Sequence, residues 1–346
     1  MTKDSPTSEF KAGPNRMARL LVCATFPLIW VGGLVTTYDA GMAVPDWPST
    51  YGYNLFLYPW QSWIAGPWDL FIEHGHRLLG SIVGLIAIGL LFVVWRKDDR
   101  GWMKWMAFAA LLLVIVQGIL GGQRVLRDDR RIAQIHGVVG PLFFALSCMI
   151  ATFTSKWWRS DSNEGNSQKG SRGLVAAAWL TFFLATFQLV IGSQLRHGIE
   201  YASGQVFRTA VLFHVLLAVI LVLQILFLAI RVLRSSQVSQ LRRPASALML
   251  LVAGQFLLGI ASWTVKYGWP AILQKWMASP MTTVQAKSMS QSLIVTGHVA
   301  IGALILATSG MLAVRVTRVA VAGRLARNSV ERNSHETMAK QVGVPA

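Results

Sequence analysis

Eight long apolar runs divide this chain of 346 residues. A helix needs about 20 mostly apolar residues to cross the hydrocarbon core of a bilayer. Only 14% of the residues are charged and 53% are hydrophobic, whereas a soluble domain carries about 25% charge. Backbone polar groups in lipid must be satisfied within the protein, which favours helices, because the alternating pattern of a membrane barrel is absent. The sequence therefore predicts an all-α polytopic membrane protein with eight transmembrane helices, near residues 18–37, 73–95, 102–123, 132–154, 174–195, 208–231, 244–264 and 290–314.

The Lys and Arg residues fall unevenly on the two sides of these helices. Of the 32, the side of both termini receives 22 and the opposite loops receive 9, among them Arg124 and Arg196, while Arg77 lies inside the second helix. Loops rich in Lys and Arg stay in the cytoplasm, so we expect both termini there. The mixed-charge N-terminal tail lacks the pattern of a signal or transit peptide, which favours a bacterial inner membrane. Topology thus accounts for most of the net charge of +17, and we expect no nucleic-acid partner.

One motif recurs in three successive hairpins. Gln-x-x-x-Gly lies near the outer end of the third, fifth and seventh helices, and a histidine follows at the start of the next helix. This recurrence predicts two pseudo-symmetric four-helix bundles related by an approximate two-fold axis along the membrane normal. We divide the chain into a cytoplasmic tail (1–17), an N-terminal half (18–154), a cytoplasmic linker (155–173), a C-terminal half (174–314) and a basic cytoplasmic tail (315–346), which we expect to lie on anionic lipid. The three motifs are Gln117 to Gly121, Gln188 to Gly192 and Gln255 to Gly259, followed by His136, His214 and His298.

Together with His76, these histidines place one imidazole in each even-numbered helix, within about two turns of its outer end. Ionisable groups inside a membrane span are rare and mark functional sites. His76 pairs with His136 in the first half, and His214 pairs with His298 in the second. Two histidines on facing helices suit axial ligation of a haem. Zinc is the competing metal, but it needs more ligands, and only the first half offers a carboxylate nearby.

The second helix carries the sequence Glu73-His74-Gly75-His76-Arg77. Glu73, His76 and Arg77 lie on roughly one helix face, whereas His74 points elsewhere. One interpretation is an interfacial Glu–Arg pair that anchors the helix. The other is a carboxylate placed for proton transfer beside a bound cofactor, with Arg77 available to a haem propionate. The second half has no equivalent carboxylate, which suggests that one half performs chemistry and the other holds a permanent cofactor.

The first outer connection, about 35 residues between the first and second helices, is rich in Trp and Pro and nearly free of Lys and Arg. Tryptophan at this level is typical of membrane interfaces. The connection is therefore either a cap at the membrane surface or a lid over a site.

Several of these motifs together resemble the heme A synthase family, and in particular its branch without cysteines in the first outer loop. They are the Glu-x-x-His-Arg motif from Glu73 to Arg77, Gly32-Gly33, the segment from Asp46 to Pro48, the three Gln-x-x-x-Gly motifs and the later histidines. The resemblance covers about residues 18–314. It implies an eight-helix oxidoreductase that acts on a CH group of haem, converting the C8 methyl of heme O to a formyl group and so giving heme A for cytochrome oxidase.

The resemblance also implies roles for individual residues. His214 and His298 would ligate a resident heme b in the C-terminal half. His76 and His136, with Arg77, would bind the substrate haem, and Glu73 would be catalytic. Heme O synthase, cytochrome oxidase assembly factors and an electron acceptor are the expected partners.

The chain departs from the family at one place and leaves two other function classes open. Many family members carry an Arg shortly after the Gly-Gly of the first helix, where this chain reads Thr36-Thr37-Tyr38-Asp39. A bis-histidine dihaem membrane electron carrier would also use both histidine pairs, but it would not need Glu73. A repeat-built transporter usually places its polar site at the midplane with broken helices, whereas these histidines lie near the outer ends.

Overall fold

The computed structural model describes residues 11–160, 172–197, 203–235, 239–268 and 288–342. Eight helices in these ranges are long and apolar enough to cross a membrane, which confirms the predicted all-α polytopic fold. The long helices are α1 (Ala12–Thr37), α3 (Trp68–Lys97), α4 (Gly101–Arg127), α5 (Arg130–Phe153), α7 (Arg172–His197), α8 (Gly204–Ser235), α9 (Ser239–Tyr267) and α10 (Met289–Val342), and two short helices are α2 (Trp60–Ile64) and α6 (Lys156–Arg159).

The helices extend beyond the apolar runs that predicted them. Helix α3 begins at Trp68 and not at 73, and α10 continues through the basic tail to Val342. Hydropathy marks only the stretch suited to lipid, whereas the backbone hydrogen bonds of a helix continue through polar residues. The placement of Arg124 and Arg196 in outer loops was therefore wrong, because both lie on the last turns of α4 and α7.

Within each half, the four long helices pack in a ring. Helix α1 packs on α3, α3 on α4, α4 on α5 and α5 on α1, and the second half repeats this order with α7, α8, α9 and α10. The halves meet where α5 and α10 pack together, flanked by contacts of α1 with α10 and of α5 with α7. A two-fold relation between the halves would produce this order, although the symmetry itself stays a prediction.

Helix α10 lies at the centre of the assembly. In its most apolar stretch 61% of the residues are buried, compared with 17–39% in the other spans. Its neighbours are α7 and α9 in its own half and α1 and α5 in the other half. His298, on this helix, therefore lies close to the interface between the halves.

A two-residue turn sets the position of His136. Asp128 adopts a left-handed conformation with φ of 47° and ends α4. Asp129 then caps α5, because its side chain accepts hydrogen bonds from the backbone N–H groups of Arg131 and Ile132. The tight turn brings the outer end of α4 directly against the first turns of α5, where His136 lies.

An ion-pair cluster closes the opposite end of the first half. Asp98, after α3, accepts hydrogen bonds from Arg100 Nη2 at 2.7 Å and from Arg159 Nη1 at 3.2 Å. Burial raises the pKa of the Asp98 carboxyl, but the hydrogen bonds and charge of Arg100, with the charge of Arg159, outweigh it and hold the pKa below its ordinary value. The cluster ties the α3–α4 turn to α6.

Candidate functional site

Each of the four predicted histidines packs against a glycine on the preceding long helix. A Cβ atom added at Gly32 of α1 would lie 2.7 Å from Cε1 of His76 on α3. Glycine at these positions lets the imidazole and the helix backbone approach closely. The other three pairs are Gly121 with His136 at 3.2 Å, Gly192 with His214 at 3.2 Å and Gly259 with His298 at 3.3 Å.

The glutamine of each motif also contacts the following histidine. Gln117 donates from Nε2 to the carbonyl of His136 at 3.1 Å, and Gln188 donates to the carbonyl of His214 at the same distance. The third, Gln255, places Nε2 at 3.4 Å from Nε2 of His298. In each motif, therefore, the glycine leaves space for the imidazole of the following histidine, and the glutamine contacts the same histidine residue.

His76 and His136 face each other from α3 and α5 across the first ring of helices. Their ring centroids lie 6.4 Å apart and their planes are inclined at 79°. A metal–imidazole bond is about 2 Å and the ring centre lies about 1 Å further, so two imidazoles on one metal ion have centroids about 6 Å apart. Nδ1 of His136 lies 3.2 Å from the carbonyl of Gln117, a contact that leaves Nε2 for a metal.

The second pair has similar surroundings. His214 on α8 and His298 on α10 are near enough to interact electrostatically. Within the described parts of the chain, Nδ1 of His298 and Oε1 of Gln188 and of Gln255 are buried without a hydrogen-bond partner. Buried polar atoms without a partner in a membrane bundle are unfavourable and mark a candidate functional site.

The described residues fit haem better than zinc. They contain no group of three or more His, Cys, Asp and Glu side chains that could hold a metal ion. Zinc sites need three or four protein ligands, whereas an axially ligated haem iron needs two. Both histidine pairs therefore suit a haem iron held between two imidazoles.

Glu73 and Arg77 form a buried ion pair, with side chains 2% and 10% exposed. Glu73 Oε1 accepts from Arg77 Nη2 at 2.9 Å, and Oε2 accepts from the backbone N–H of Val44 at 2.9 Å. Arg77 also donates to the backbone carbonyls of Val44, Asp46 and Ser49 at 2.7–3.0 Å. The pair therefore fastens the first outer connection onto α3, and the binding of a haem propionate by Arg77 stays a prediction.

His74, which was predicted to point away from the face of Glu73 and His76, is a second anchor for this connection. It is 2% exposed, and its Nδ1 lies 3.0 Å from Oγ1 of Thr50. The rings of Tyr58 and Trp63 pack on it, with centroids 5.1 and 5.3 Å away. The connection is thus an ordered cap over the start of α3.

A turn within the cap is held by Asp46. Its carboxylate accepts from the backbone N–H groups of Tyr51 and Gly52 at 2.8 and 2.9 Å. Burial raises the pKa of Asp46, but these hydrogen bonds outweigh it and the pKa lies below its ordinary value. The neighbouring Trp47 packs its ring against Gly122 of α4, so the cap spans from α3 to α4.

Sequence reasoning missed three residues at the site. Arg124 lies near enough to His76, His136 and Glu73 for electrostatic interaction. The other two, Arg196 and His197, end α7. A signal was present, because Arg124 and Arg196 follow the glycine of their motif by three and four residues and so share its helix face.

Arg196 joins the two halves beside His298. Its Nη2 donates to the carbonyl of Gly33 and to Oγ1 of Thr37, both at 2.8 Å. Oγ1 of Thr37 lies 3.3 Å from Oγ1 of Thr296, two residues before His298. His197, next along α7, reaches to Gly137 beside His136. The last turn of α7 therefore contacts the surroundings of both histidine pairs.

This fold defines an integral membrane protein, and its helix bundles contain two histidine pairs. The model of a family described as cytochrome oxidase assembly protein, COX15-CtaA, matches residues 68–279. Because the match covers more than half of the sequence, the chain belongs to this family. The matched region includes Glu73, His76, His136 and His214, whereas His298 lies beyond it.

Several bacterial proteins named heme A synthase are similar to the chain. The one from Shouchella clausii is 29% identical over 273 residues, which are 72% of this chain and 86% of the relative. The one from Alkalihalophilus pseudofirmus is 27% identical over 251 residues, covering 66% and 80%. A third, from Cereibacter sphaeroides, is 27% identical over 232 residues, covering 56% and 58%. The similarity to the first two extends over most of the eight-helix region.

The contact between Gly32 and His76 leads to a first prediction. We expect Gly32→Ala to lower the free energy of unfolding by about 1–3 kcal/mol, because the new methyl group would displace the imidazole. Gly118→Ala on α4 is the matched control, since a Cβ there meets no atom within 4 Å and alanine favours the helix. Chemical denaturation of both variants in detergent measures the difference. An equal stability of the two variants would contradict the steric role of Gly32.

Proposed function

We propose that this chain is a heme A synthase, an oxidoreductase that converts the C8 methyl group of heme O to a formyl group and supplies heme A for cytochrome oxidase. The names of its relatives and the family to which it belongs support this function. The observation that carries it is the asymmetry of the two sites. Both contain a facing histidine pair, but among the described residues only the N-terminal pair has a buried carboxylate, that of Glu73, one turn away.

In this proposal the two pairs have different tasks. His76 and His136 hold the substrate haem, and His214 and His298 hold a resident heme b, which supplies a relay for electrons when bound. The halves 18–154 and 174–314 then correspond to a substrate unit and an electron-transfer unit. The contacts of Arg196 and His197 with both sites fit this division, because they fix the two units relative to each other.

The reaction needs a group that accepts protons. Conversion of a methyl group and one water to a formyl group releases four electrons and four protons. Glu73 precedes His76 by three residues, so its carboxylate lies on the same helix face as that ligand. Its hydrogen bonds from Arg77 and Val44 hold both oxygens in place, and each oxygen keeps a second lone pair that can accept a proton.

The membrane setting follows from the same proposal. We place the protein in a bacterial inner membrane with both termini in the cytoplasm and the haem sites toward the outer leaflet, in agreement with the positive-inside count. Heme O synthase would deliver the substrate, cytochrome oxidase assembly factors would take the product, and a separate acceptor would remove the electrons.

Haem extraction from cells tests the function directly. Cells that make heme O should contain heme A only when this protein is co-expressed. An electron carrier with two permanent haems is the alternative, and the similar glycine and glutamine surroundings of both pairs favour it. If cells that express the protein well contain heme O and heme b but no heme A, the result supports the electron carrier and excludes the heme A synthase.

The assignment of the pairs makes a separate prediction. Replacing His214 or His298 with alanine should remove the resident haem, because an axial ligand is lost. The low-spin absorption spectrum of the purified protein should disappear. His76→Ala and His136→Ala serve as controls, since they should keep that spectrum and yet abolish heme A. The assignment is wrong if the spectrum depends on the N-terminal pair and survives in the C-terminal variants.

Glu73→Gln keeps the shape but removes the ionisable group, and we expect heme A formation to fall at least about 100-fold while the resident haem is retained. Heme O or a partly oxidised derivative should accumulate in the extracted haem. The measurement is the heme A fraction in cells with equal amounts of protein.

A control is needed because both oxygens of Glu73 accept hydrogen bonds. In the glutamine variant, the amide NH2 group would face the donor of either Arg77 or Val44, so one hydrogen bond would be lost and the cap would be held less tightly. Thr50→Val removes a different anchor of the cap, the contact with His74, and leaves the carboxylate intact. We expect this variant to keep most of the activity. Equal losses in the two variants would mean that Glu73 acts by fastening the cap and not by accepting protons.

A further inference from the structure

Arg77 and Arg124 lie near the N-terminal histidine pair, and Arg196 lies near His298 of the C-terminal pair. The three arginines differ in what they bind. Arg77 donates to Glu73 and to three backbone carbonyls. Arg196 donates to Gly33 and Thr37. Arg124, in contrast, makes no hydrogen bond or ion pair through its side chain within the described residues. Among the cations that the structure describes at this site, Arg124 is the one with donors left available.

The position of Arg124 is defined on two sides. It lies on α4 three residues after Gly121, the glycine against which His136 packs. Its guanidinium lies under the first outer connection, because a Cβ atom at Gly41 would be 2.6 Å from Nη1 and 2.7 Å from Nη2. The side chain is half-buried, and its charge acts on both His76 and His136. The guanidinium therefore lies beneath the first outer connection and close enough to both imidazoles for its charge to act on them.

The charge balance of the site points to an anionic ligand. Among the described residues, Glu73 is the acid that interacts electrostatically with Arg124, and its ion pair is with Arg77. Within this part of the chain, Arg124 therefore has no counter-charge of its own. An uncompensated cation in a membrane bundle is unfavourable, and such a residue pairs with another charge or marks a ligand site. A guanidinium has the shape to bind a carboxylate through two parallel hydrogen bonds.

We propose that Arg124 binds a propionate carboxylate of the haem held between His76 and His136. This inference rests on the proposed function and adds a specificity role to it. Two axial ligands fix the iron but allow the macrocycle to rotate about the axis that joins them. A carboxylate fixed on Arg124 removes this rotation and so determines which edge of the ring faces Glu73. Arg124 is thus the residue that selects the methyl group to be oxidised.

Haemin and its dimethyl ester, which lacks the carboxylates, test this contact in the purified protein with its resident haem in place. Spectral titration gives the dissociation constant of each added probe. The parent protein should prefer haemin over the ester by about 10- to 100-fold, as expected for one charge-assisted contact. Arg124→Gln should remove most of this preference and Arg124→Lys should restore part of it. In cells, Arg124→Gln should also yield haems oxidised at methyl groups other than C8.

Arg127→Gln is the matched control, since Arg127 is an exposed arginine on the same helix and should keep the preference. If Arg124→Gln also keeps it while His76→Ala abolishes binding of haemin, the inference is overturned and the proposed function stands. If binding of haemin is the same in His76→Ala as in the parent, the N-terminal pair holds no haem, and the proposed function fails together with the role of Arg124.

Discussion

Close approach between an imidazole and the backbone of a neighbouring helix is the contact on which both sites depend. An imidazole inside a bundle needs space that ordinary side chains would fill, and it needs a polar partner that lipid cannot supply. Glycine provides the space at Gly32, Gly121, Gly192 and Gly259. Glutamine provides a polar contact in three of these four places. Because the spacing of glycine and glutamine is one helical turn, a single short motif satisfies both needs.

The two sites share this frame and differ in what surrounds it. In the N-terminal site the first outer connection is held over α3 by three features. They are the ion pair of Glu73 with Arg77, the contact of His74 with Thr50 and the turn at Asp46. The guanidinium of Arg124 lies beneath that connection. In the C-terminal site Arg196 is bound to α1, where it links the halves. Among the described residues, the same frame is therefore surrounded by more polar contacts in the first half than in the second.

Sequence reasoning predicted the membrane spans and the histidines because both leave local signals. Twenty apolar residues in succession, or a histidine in such a run, can be recognised without knowing what lies next to them. The structure confirms all eight spans. The contacts of His74 could not be predicted in this way, and the position of Arg124 was missed although its spacing from Gly121 was a signal. Arg124 follows the apolar run and resembled a loop charge, and the partners of His74 come from a connection that has no periodicity.

The cap over α3 has a consequence for how a ligand reaches the first site. Glu73, Arg77 and His74 together fasten this connection by buried hydrogen bonds, so the aqueous face above α3 is closed by ordered protein. In the proposed function, an apolar macrocycle such as haem would then enter sideways, from the acyl chains between neighbouring helices. Exchange by this route would be governed by lateral diffusion in the membrane and by the separation of helices.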